Sequence, residues 1–209
     1  MLFKLYKKLL KYYGKQNWWP ILSKQNPKIE IIFGAILTQN TSWKNVEKAL
    51  KNLIEHQLLD FNKILSISEE LVKNLIKPAG FYNQKAKTLR NVAKYFTENH
   101  NSISRESLLK IKGIGKETAD SILLYAYNQP YFIIDAYTKR FLSRLGYIKE
   151  SISYDELQSF ITNHIPNNIE IYKEFHALIV VHCKNFCKKT PDCITCFLKV
   201  ECQFYKKTY

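Results

Sequence analysis

The chain lacks the features that mark membrane and secreted proteins. Its 209 residues contain no uninterrupted apolar run of roughly 18 residues, the length that a membrane span needs. The basic N-terminal segment has neither a signal-peptide apolar core nor a small-residue cleavage site. No cysteine precedes Cys183, which excludes a disulfide framework that staples distant segments. We therefore expect no membrane partner and a cytoplasmic location, nucleoid-associated if the source is bacterial.

Acidic residues are scarce: the chain has 18 Asp and Glu but 32 Lys and Arg, which gives a formal net charge of +14. This excess indicates a polyanionic partner, with nucleic acid first and an acidic membrane surface second. The alternative is a lysine-rich surface that serves only solubility. The content of 46% hydrophobic and 14% aromatic residues excludes low-complexity disorder. The length predicts one domain or two small ones.

All five cysteines lie between Cys183 and Cys202. The last four follow the pattern C-x5-C-x2-C-x5-C, and such short loops let one segment wrap a single metal centre. Four thiolates suit either zinc or an iron–sulfur cluster. Cys183, near the end of an apolar helix, is interpreted as a core thiol. The predicted ligands are Cys187, Cys193, Cys196 and Cys202.

Apolar residues recur at helical spacing along nearly the whole chain, with Gly and Pro between the helices. The pattern predicts an all-α fold of about ten helices without a flexible linker. An apolar run at 131–134 is predicted to be an extended connector. The predicted helices are 2–13, 28–39, 42–56, 68–76, 83–97, 105–109, 116–126, 135–145, 153–164 and 169–186.

The segment LKIKGIGKETAD carries the most specific motif. Gly113 and Gly115 flank Ile114 between a short helix and a longer one, where glycines permit a tight hairpin and a close approach to a ligand. The N-terminus of the second helix offers N–H groups and a positive dipole end to a phosphate. Lys112 and Lys116 add positive charge on either side. We predict a helix–hairpin–helix motif that binds the DNA backbone, with a monovalent cation as a candidate ligand.

Asp135 follows the apolar connector and precedes a helix. Its carboxylate can cap that helix through the N–H groups of the first turn. The hairpin is only one helix upstream, so the carboxylate can also lie beside a bound DNA backbone. There it would stabilise positive charge on a sugar or activate a water. We predict that Asp135 is catalytic.

Together these motifs resemble the helix–hairpin–helix DNA glycosylases, the endonuclease III superfamily. The resemblance runs through ILTQNTSW, GFYNQKA, GIGKETAD, FIIDAYTKR and FHALIVVHC. It implies a six-helix barrel at 28–131, a second helical domain formed by 1–27 and 132–209, and a [4Fe–4S] cluster in the loop 187–202. Zinc is the alternative, because the first gap between cysteines is one residue shorter than is usual in the family. The implied partner is double-stranded DNA containing a damaged base, and we expect a monomer.

One position departs from the pattern of the bifunctional members of that family. In those members, the second residue after the last glycine of the hairpin is a lysine that forms a Schiff base with the sugar. Here that position is Glu117, and Lys116 comes one residue earlier. One residue on a helix is a rotation of about 100°, and a carboxylate cannot act as the amine nucleophile. The departure predicts a monofunctional glycosylase with little or no β-lyase activity.

The tryptophans Trp18, Trp19 and Trp43 occur in the motifs WWP and LTQNTSW. Together with Glu117, these motifs look most like the 3-methyladenine DNA glycosylase branch. Alkylated purines carry positive charge, and an indole face attracts a flipped cationic base by stacking and cation–π interaction. We predict that these four residues line a base pocket. The alternative for each tryptophan is a place in the core.

The same resemblance assigns roles at the DNA surface. Gln39 and Asn40 occupy a loop in which an amide side chain fills the hole left by a flipped base, although both are also plain helix caps. Phe81 matches the position that wedges into the opposite strand. The following helix carries three basic residues that are predicted either to follow the DNA backbone or to form a solvated face: Lys85, Lys87 and Arg90.

The predicted function is therefore base excision repair of an alkylated purine by a DNA glycosylase. Within enzymes, the alternative is an endonuclease III-like glycosylase that acts on oxidised pyrimidines or mismatches, with or without AP-lyase activity. Outside enzymes, the alternatives are a non-catalytic helix–hairpin–helix DNA-binding protein and a zinc-binding structural protein.

Overall fold

The structure is a computed structural model that describes residues 1–99 and 103–209. In these residues, the regular secondary structure consists of twelve α-helices and two short 3-10 helices, without a strand. The prediction of an all-α fold is confirmed. None of the helices in the described part of the chain is long and apolar enough to cross a membrane.

The structure divides the helices more finely than the sequence pattern did. The 3-10 helices are Lys77–Ala79 and Lys199–Glu201. Two short α-helices, Phe61–Ser66 and Gln203–Thr208, were not predicted. The α-helices are α1 (Leu2–Tyr13), α2 (Pro27–Leu37), α3 (Trp43–Glu55), α4 (Phe61–Ser66), α5 (Glu69–Ile76), α6 (Tyr82–Glu98), α7 (Arg105–Leu109), α8 (Lys116–Tyr127), α9 (Ala136–Leu145), α10 (Tyr154–His164), α11 (Ile169–Asn185) and α12 (Gln203–Thr208).

The helices form two compact units. The hairpin unit is Trp19–Gln129, and the cysteine unit combines Met1–Trp18 with Pro130–Tyr209. The prediction places residues 19–27 with the cysteines, whereas the structure places Trp19 and the residues after it in the hairpin unit. The reason is Glu30 on α2, whose buried carboxylate accepts hydrogen bonds from the backbone N–H groups of Leu22 (2.6 Å) and Ser23 (2.7 Å).

The core of the hairpin unit is formed by α2 and α8, which pack against each other. Every residue of α2 from Glu30 to Leu37 is buried, and so is every residue of α8 from Thr118 to Tyr125. Pro27 begins α2, where its fixed φ suits the first helical position and its missing N–H costs nothing. The C-terminus of α2 and the N-terminus of α8 lead into the loops that carry the sequence motifs.

The cysteine unit is built around α11, against which α1 and α9 pack. Asn168 caps α11 by accepting a hydrogen bond from Ile171 N at 3.0 Å. The buried residues of α1 are Leu2, Leu5 and Leu9, which recur at helical spacing. The lysines of α1 therefore lie on the other face of the helix. The apolar stripe therefore supplies the packing, while the positive charge stays on the surface.

Candidate functional site

An ion pair braces the two helices of the hairpin. Arg105 on α7 donates from Nε to Asp120 Oδ1 at 2.6 Å and from Nη2 to Oδ2 at 3.2 Å. Asp120 on α8 is fully buried, and a two-point contact of this kind orients both side chains. Sequence reasoning missed this pair, because nothing local to either helix indicates that the two side chains meet.

The two glycines of the hairpin have different roles. Gly113 has a φ of +101°, and a Cβ there would collide with the side chain of Thr88. The fold itself therefore requires glycine at 113. Gly115 has a φ of −98°, which any residue adopts, and a Cβ there would meet no heavy atom of the described residues within 4 Å. Glycine at 115 therefore leaves space beside the start of α8 that the described part of the chain does not fill.

Two amide side chains hold the carbonyl groups of the hairpin. Gln39 Nε2 donates to Gly113 O at 3.1 Å and to Thr118 Oγ1 at 2.9 Å. Asn91 Nδ2 donates to Lys112 O at 3.2 Å. These bonds hold the hairpin against α6 and the loop after α2 within the hairpin unit. In this structure Gln39 is thus bound to the hairpin, and it would have to leave Gly113 to fill a gap in a duplex.

The start of α8 has the properties of an anion site. Within the described residues, no side chain caps α8 at Gly115. Lys112 and Lys116 are exposed on either side. Helix N-terminal N–H groups, a positive dipole end and two lysines together favour a phosphate. This arrangement is the one that the motif predicts.

Two exposed loop residues of the hairpin unit have left-handed backbone conformations. Asn40, in the loop 38–42 after α2, has a φ of 52°, and Phe81, before α6, has a φ of 46°. Phe81 is 66% exposed, which is unusual for a large aromatic side chain. Both positions match the predicted duplex contacts, and their contact with DNA stays a prediction.

Two of the three basic residues predicted along α6 have other roles. Lys85 is buried, and its Nζ donates to Leu37 O at 2.8 Å and to Ala79 O at 2.9 Å. Burial lowers the pKa of Lys85 to about 8. Arg90 donates to three carbonyl groups at and after the end of α4. The prediction that these two follow a DNA backbone or a solvated face is wrong, whereas Lys87 is exposed and its role stays a prediction.

Three aromatic rings form a cluster in the hairpin unit. The ring centroid of Trp19 lies 5.3 Å from that of Trp43, with the rings nearly perpendicular at 86°, and 5.1 Å from that of Tyr125. Gly34 on α2 allows this packing, because a Cβ there would come within 3.1 Å of the Trp19 ring. Both tryptophans are partly exposed, whereas Tyr125 is buried. Tyr125 is a member of the cluster that sequence reasoning missed.

The other two residues of the predicted base pocket are Trp18, which precedes Trp19 in the sequence, and Glu117 on α8. Glu117 is exposed in the first turn of α8, about two turns before Tyr125 on the same helix. Trp18 belongs to the cysteine unit, where Lys184 Nζ lies 5.9 Å from its ring centroid. The grouping of Trp18 with the cluster stays a prediction.

Asp135 has a helix-capping role in the cysteine unit. Its Oδ1 accepts a hydrogen bond from Thr138 N at 2.7 Å, which confirms the capping interpretation. Its Oδ2 lies 3.4 Å from His176 Nε2. Burial raises the pKa of Asp135, but the close contact and positive charge of His176, together with the hydrogen bond from Thr138, outweigh burial and lower the pKa below its usual value. The cap therefore holds an ionised carboxylate in a largely desolvated position.

The four predicted ligand cysteines line one cavity of about 20 Å³, whose other walls are mainly apolar. All are free thiols. Within the residues that the structure describes, no three His, Cys, Asp or Glu side chains are already drawn together as a metal site. Four thiols around one cavity nevertheless provide the donor set of a [4Fe–4S] cluster or of zinc.

Two side-chain nitrogen atoms approach the sulfur atoms of this cavity. Arg144 Nη1 donates to Cys187 Sγ at 3.5 Å, and His182 Nε2 lies 3.6 Å from Cys196 Sγ. Arg144 also donates to Lys188 O at 2.6 Å, which holds the start of the loop against α9. A hydrogen bond from a guanidinium group stabilises a thiolate ligand, and a ring nitrogen does so in the tautomer that carries its proton. Sequence reasoning missed both residues.

Comparison with known proteins agrees with the motifs. A family model described as HhH-GPD superfamily base excision DNA repair protein matches residues 33–167. A Methanocaldococcus jannaschii protein with the provisional name DNA repair glycosylase is 52% identical in an alignment of 214 positions that covers 97% of this chain and 96% of that protein.

Solved structures are similar over most of the chain. A trapped endonuclease III–DNA covalent intermediate has a TM-score of 0.87 at 21% identity, over 99% of this chain and 96% of that one. The 3-methyladenine DNA glycosylase of H. pylori bound to 1,N6-ethenoadenine has a TM-score of 0.76 at 33% identity, over 87% and 96%. The first of these similarities concerns the fold alone.

Proposed function

The chain belongs to the HhH-GPD superfamily of base excision DNA repair proteins, and we propose that it is a monofunctional glycosylase for alkylated purines in double-stranded DNA. The observation that carries this proposal is the aromatic cluster of Trp19, Trp43 and Tyr125, in which Tyr125 belongs to the helix that begins with Lys116 and Glu117. The cluster suits a flat cationic base. Glu117 stands where an amine nucleophile would be needed for strand cleavage.

Binding of the DNA backbone is assigned to the hairpin. The open space at Gly115 and the flanking Lys112 and Lys116 favour a phosphate at the start of α8. The net charge of +14 adds salt-dependent affinity for the duplex. A monovalent cation at the hairpin stays a prediction.

Hydrolysis is assigned to Asp135. An alkylated purine already carries positive charge and is a good leaving group, so the enzyme needs mainly to stabilise the cation that develops on the sugar. An ionised carboxylate does so by electrostatic attraction, and it also orients the attacking water. His176 and Thr138 hold the Asp135 carboxylate ionised and in one orientation.

We also propose that Cys187, Cys193, Cys196 and Cys202 hold a [4Fe–4S] cluster, which would supply a structural cross-link to the C-terminal loop. Purified protein is then expected to be brown, with an absorbance band at roughly 400 nm from thiolate-to-iron charge transfer. Replacement of Cys193 by Ser should abolish the band and lower the melting temperature, while Cys183→Ser should keep the band. Colourless protein that contains zinc would instead support the alternative metal.

The two hairpin glycines provide a matched pair of variants. Gly115→Ala should fold with an unchanged melting temperature, because its Cβ meets nothing in the described residues, yet it should weaken duplex binding by about tenfold through loss of phosphate contacts. Gly113→Ala should instead lower the melting temperature, because of the left-handed φ and the clash with Thr88. Wild-type affinity in folded Gly115→Ala would contradict the assignment of the hairpin.

The function itself is tested on a panel of duplexes that contain alkylated purines, oxidised pyrimidines or mismatches, with base release and strand cleavage scored separately. We expect release of alkylated purines without cleavage, and no covalent adduct under borohydride. Excision confined to oxidised pyrimidines would favour the endonuclease III-like alternative. A borohydride adduct that requires Lys116 would contradict monofunctional chemistry.

A further inference from the structure

Lys85 is a buried cation whose partners are backbone carbonyl groups. It is 2% exposed, and its ammonium group donates to Leu37 O and Ala79 O. Burial lowers its pKa, and both of its hydrogen-bond partners are neutral carbonyl groups, so neither partner compensates its charge. An uncompensated buried charge is costly, and an apolar side chain would fill the same space without that cost. The presence of a lysine here therefore indicates that its two hydrogen bonds have a specific structural role.

The two carbonyl groups belong to the last residues of the two helices that precede the exposed loops. Leu37 is the last residue of α2, and the loop 38–42 follows it. Ala79 ends the 3-10 helix before Gly80 and Phe81. Because these segments are far apart in sequence, chain connectivity alone does not set the distance between them. Helix α3 packs against both α2 and the 3-10 helix Lys77–Ala79, and the Lys85 ammonium group bridges the ends of these two elements by binding both carbonyl groups.

Each loop also holds a non-glycine residue in the left-handed region, Asn40 and Phe81. Such conformations persist only where the surrounding structure imposes them. Gln39 ties the first loop to the hairpin through Gly113 O. In the described residues, Lys85 is the side chain that hydrogen-bonds to the elements before both loops.

We propose that Lys85 is a positioning residue that locks the loop 38–42 and the Gly80–Phe81 turn together, so that Asn40 and Phe81 enter a DNA duplex as one rigid wedge. The locking is a property of the protein alone, whereas the role in the duplex rests on the function proposed above. Two side chains that open a base pair have to arrive in register. Loops that move independently make opening rarer, but they leave the aromatic cluster and Asp135 unchanged.

The locking is tested by amide hydrogen exchange on the protein without DNA. The reporters are the backbone hydrogen bonds of Thr38, Thr41 and Gly80. In Lys85→Met we expect exchange in 38–42 and in 80–82 to accelerate together by about tenfold, as for loss of hydrogen bonds to a charged group. Lys94→Met is the matched control, because it removes the same charge from an exposed position on α6. It should leave both segments unchanged.

The role in the duplex is tested by excision of one lesion in two contexts. Opposite a normal base, Lys85→Met should excise about tenfold more slowly than Lys94→Met. In single-stranded DNA, or opposite an abasic site, the two variants should excise at similar rates, because no base pair has to be opened there. A purely structural role for Lys85 would slow both contexts equally.

Each result supports or overturns a separate statement. Faster exchange in one loop only, in neither loop, or throughout the hairpin unit would overturn the locking. Equal losses in both DNA contexts, or no loss in either, would overturn the wedge. Should wild-type protein excise nothing from any context, the function above is contradicted, while the exchange experiment still decides the locking. If Lys85→Met does not fold cooperatively, Lys85→Gln replaces it, since its shorter amide cannot reach both carbonyl groups.

Discussion

Asp135→Asn is expected to lower the rate of alkylated-purine excision by roughly 10²–10³-fold, the range found when one group that stabilises charge in the transition state is removed. The substitution removes the charge of the carboxylate but keeps an oxygen for Thr138 N, and Asn is as good a helix cap as Asp. The fold and the affinity for an undamaged duplex should therefore be preserved. Single-turnover base release, at saturating enzyme, is the measurement.

Asp60→Asn provides the matched control for this experiment. Asp60 caps α4 by accepting a hydrogen bond from Lys63 N at 3.0 Å, and no catalytic role is assigned to it. This variant should excise at the wild-type rate. A full excision rate in Asp135→Asn would show that the carboxylate serves only as a helix cap.

The stability advantage of the wild type over Asp135→Asn should depend on pH in a defined direction. The folded-state pKa of Asp135 lies below its usual value of 3.8, so the ionised carboxylate stabilises the folded protein at neutral pH. That contribution is fully present above 3.8 and is lost as the pH falls through the lower folded-state pKa. The difference in melting temperature between wild type and variant should shrink over the same window.

Trp43→Ala is expected to lower alkylated-purine excision by about tenfold to a hundredfold, because stacking of a base on an aromatic ring contributes about 1–3 kcal/mol. The affinity for undamaged duplex should change by less than about twofold, since the hairpin and the lysines supply it. Trp43→Phe keeps an aromatic face and should recover most of the rate. Base release and duplex binding are measured on the same preparations.

The alternative for Trp43 makes a different set of predictions. The ring contacts Trp19 edge to face, so removing a core residue would lower the melting temperature and every activity together. A joint fall in excision, duplex affinity and melting temperature would therefore assign Trp43 to the core. A selective loss of excision assigns it to the base pocket.

Helical periodicity was enough to predict most of the fold. The buried leucines of α1, the long apolar run of α2 and the glycines that flank the hairpin are local signals. The two missed helices, α4 and α12, contain six residues each, which is less than two full turns of an α-helix. In α4, the helix is completed by Arg90, which donates to carbonyl groups at and after its end. That contact is tertiary.

The basic residues of α6 show what helical periodicity can predict about a side chain and what it cannot. Lys85 falls on the buried stripe of Leu89 and Val92, at spacings of four and seven residues, and Lys87 falls on the exposed side. The pattern alone could therefore have indicated that Lys85 points inward. It could not indicate that Lys85 binds two carbonyl groups from other segments, because a helical period specifies the buried face of a helix and not the groups that this face contacts.

The sequence by itself determined the all-α class, the helix–hairpin–helix motif, the four-cysteine loop and the place of Asp135 at a helix start, since each depends on the spacing of neighbouring residues. Only the tertiary structure decided that Tyr125 joins Trp19 and Trp43, that Arg105 pairs with Asp120, and that Lys85 binds Leu37 and Ala79. Each of these contacts joins side chains or carbonyl groups from different elements. The packing of those elements brings them together, and no local spacing encodes it.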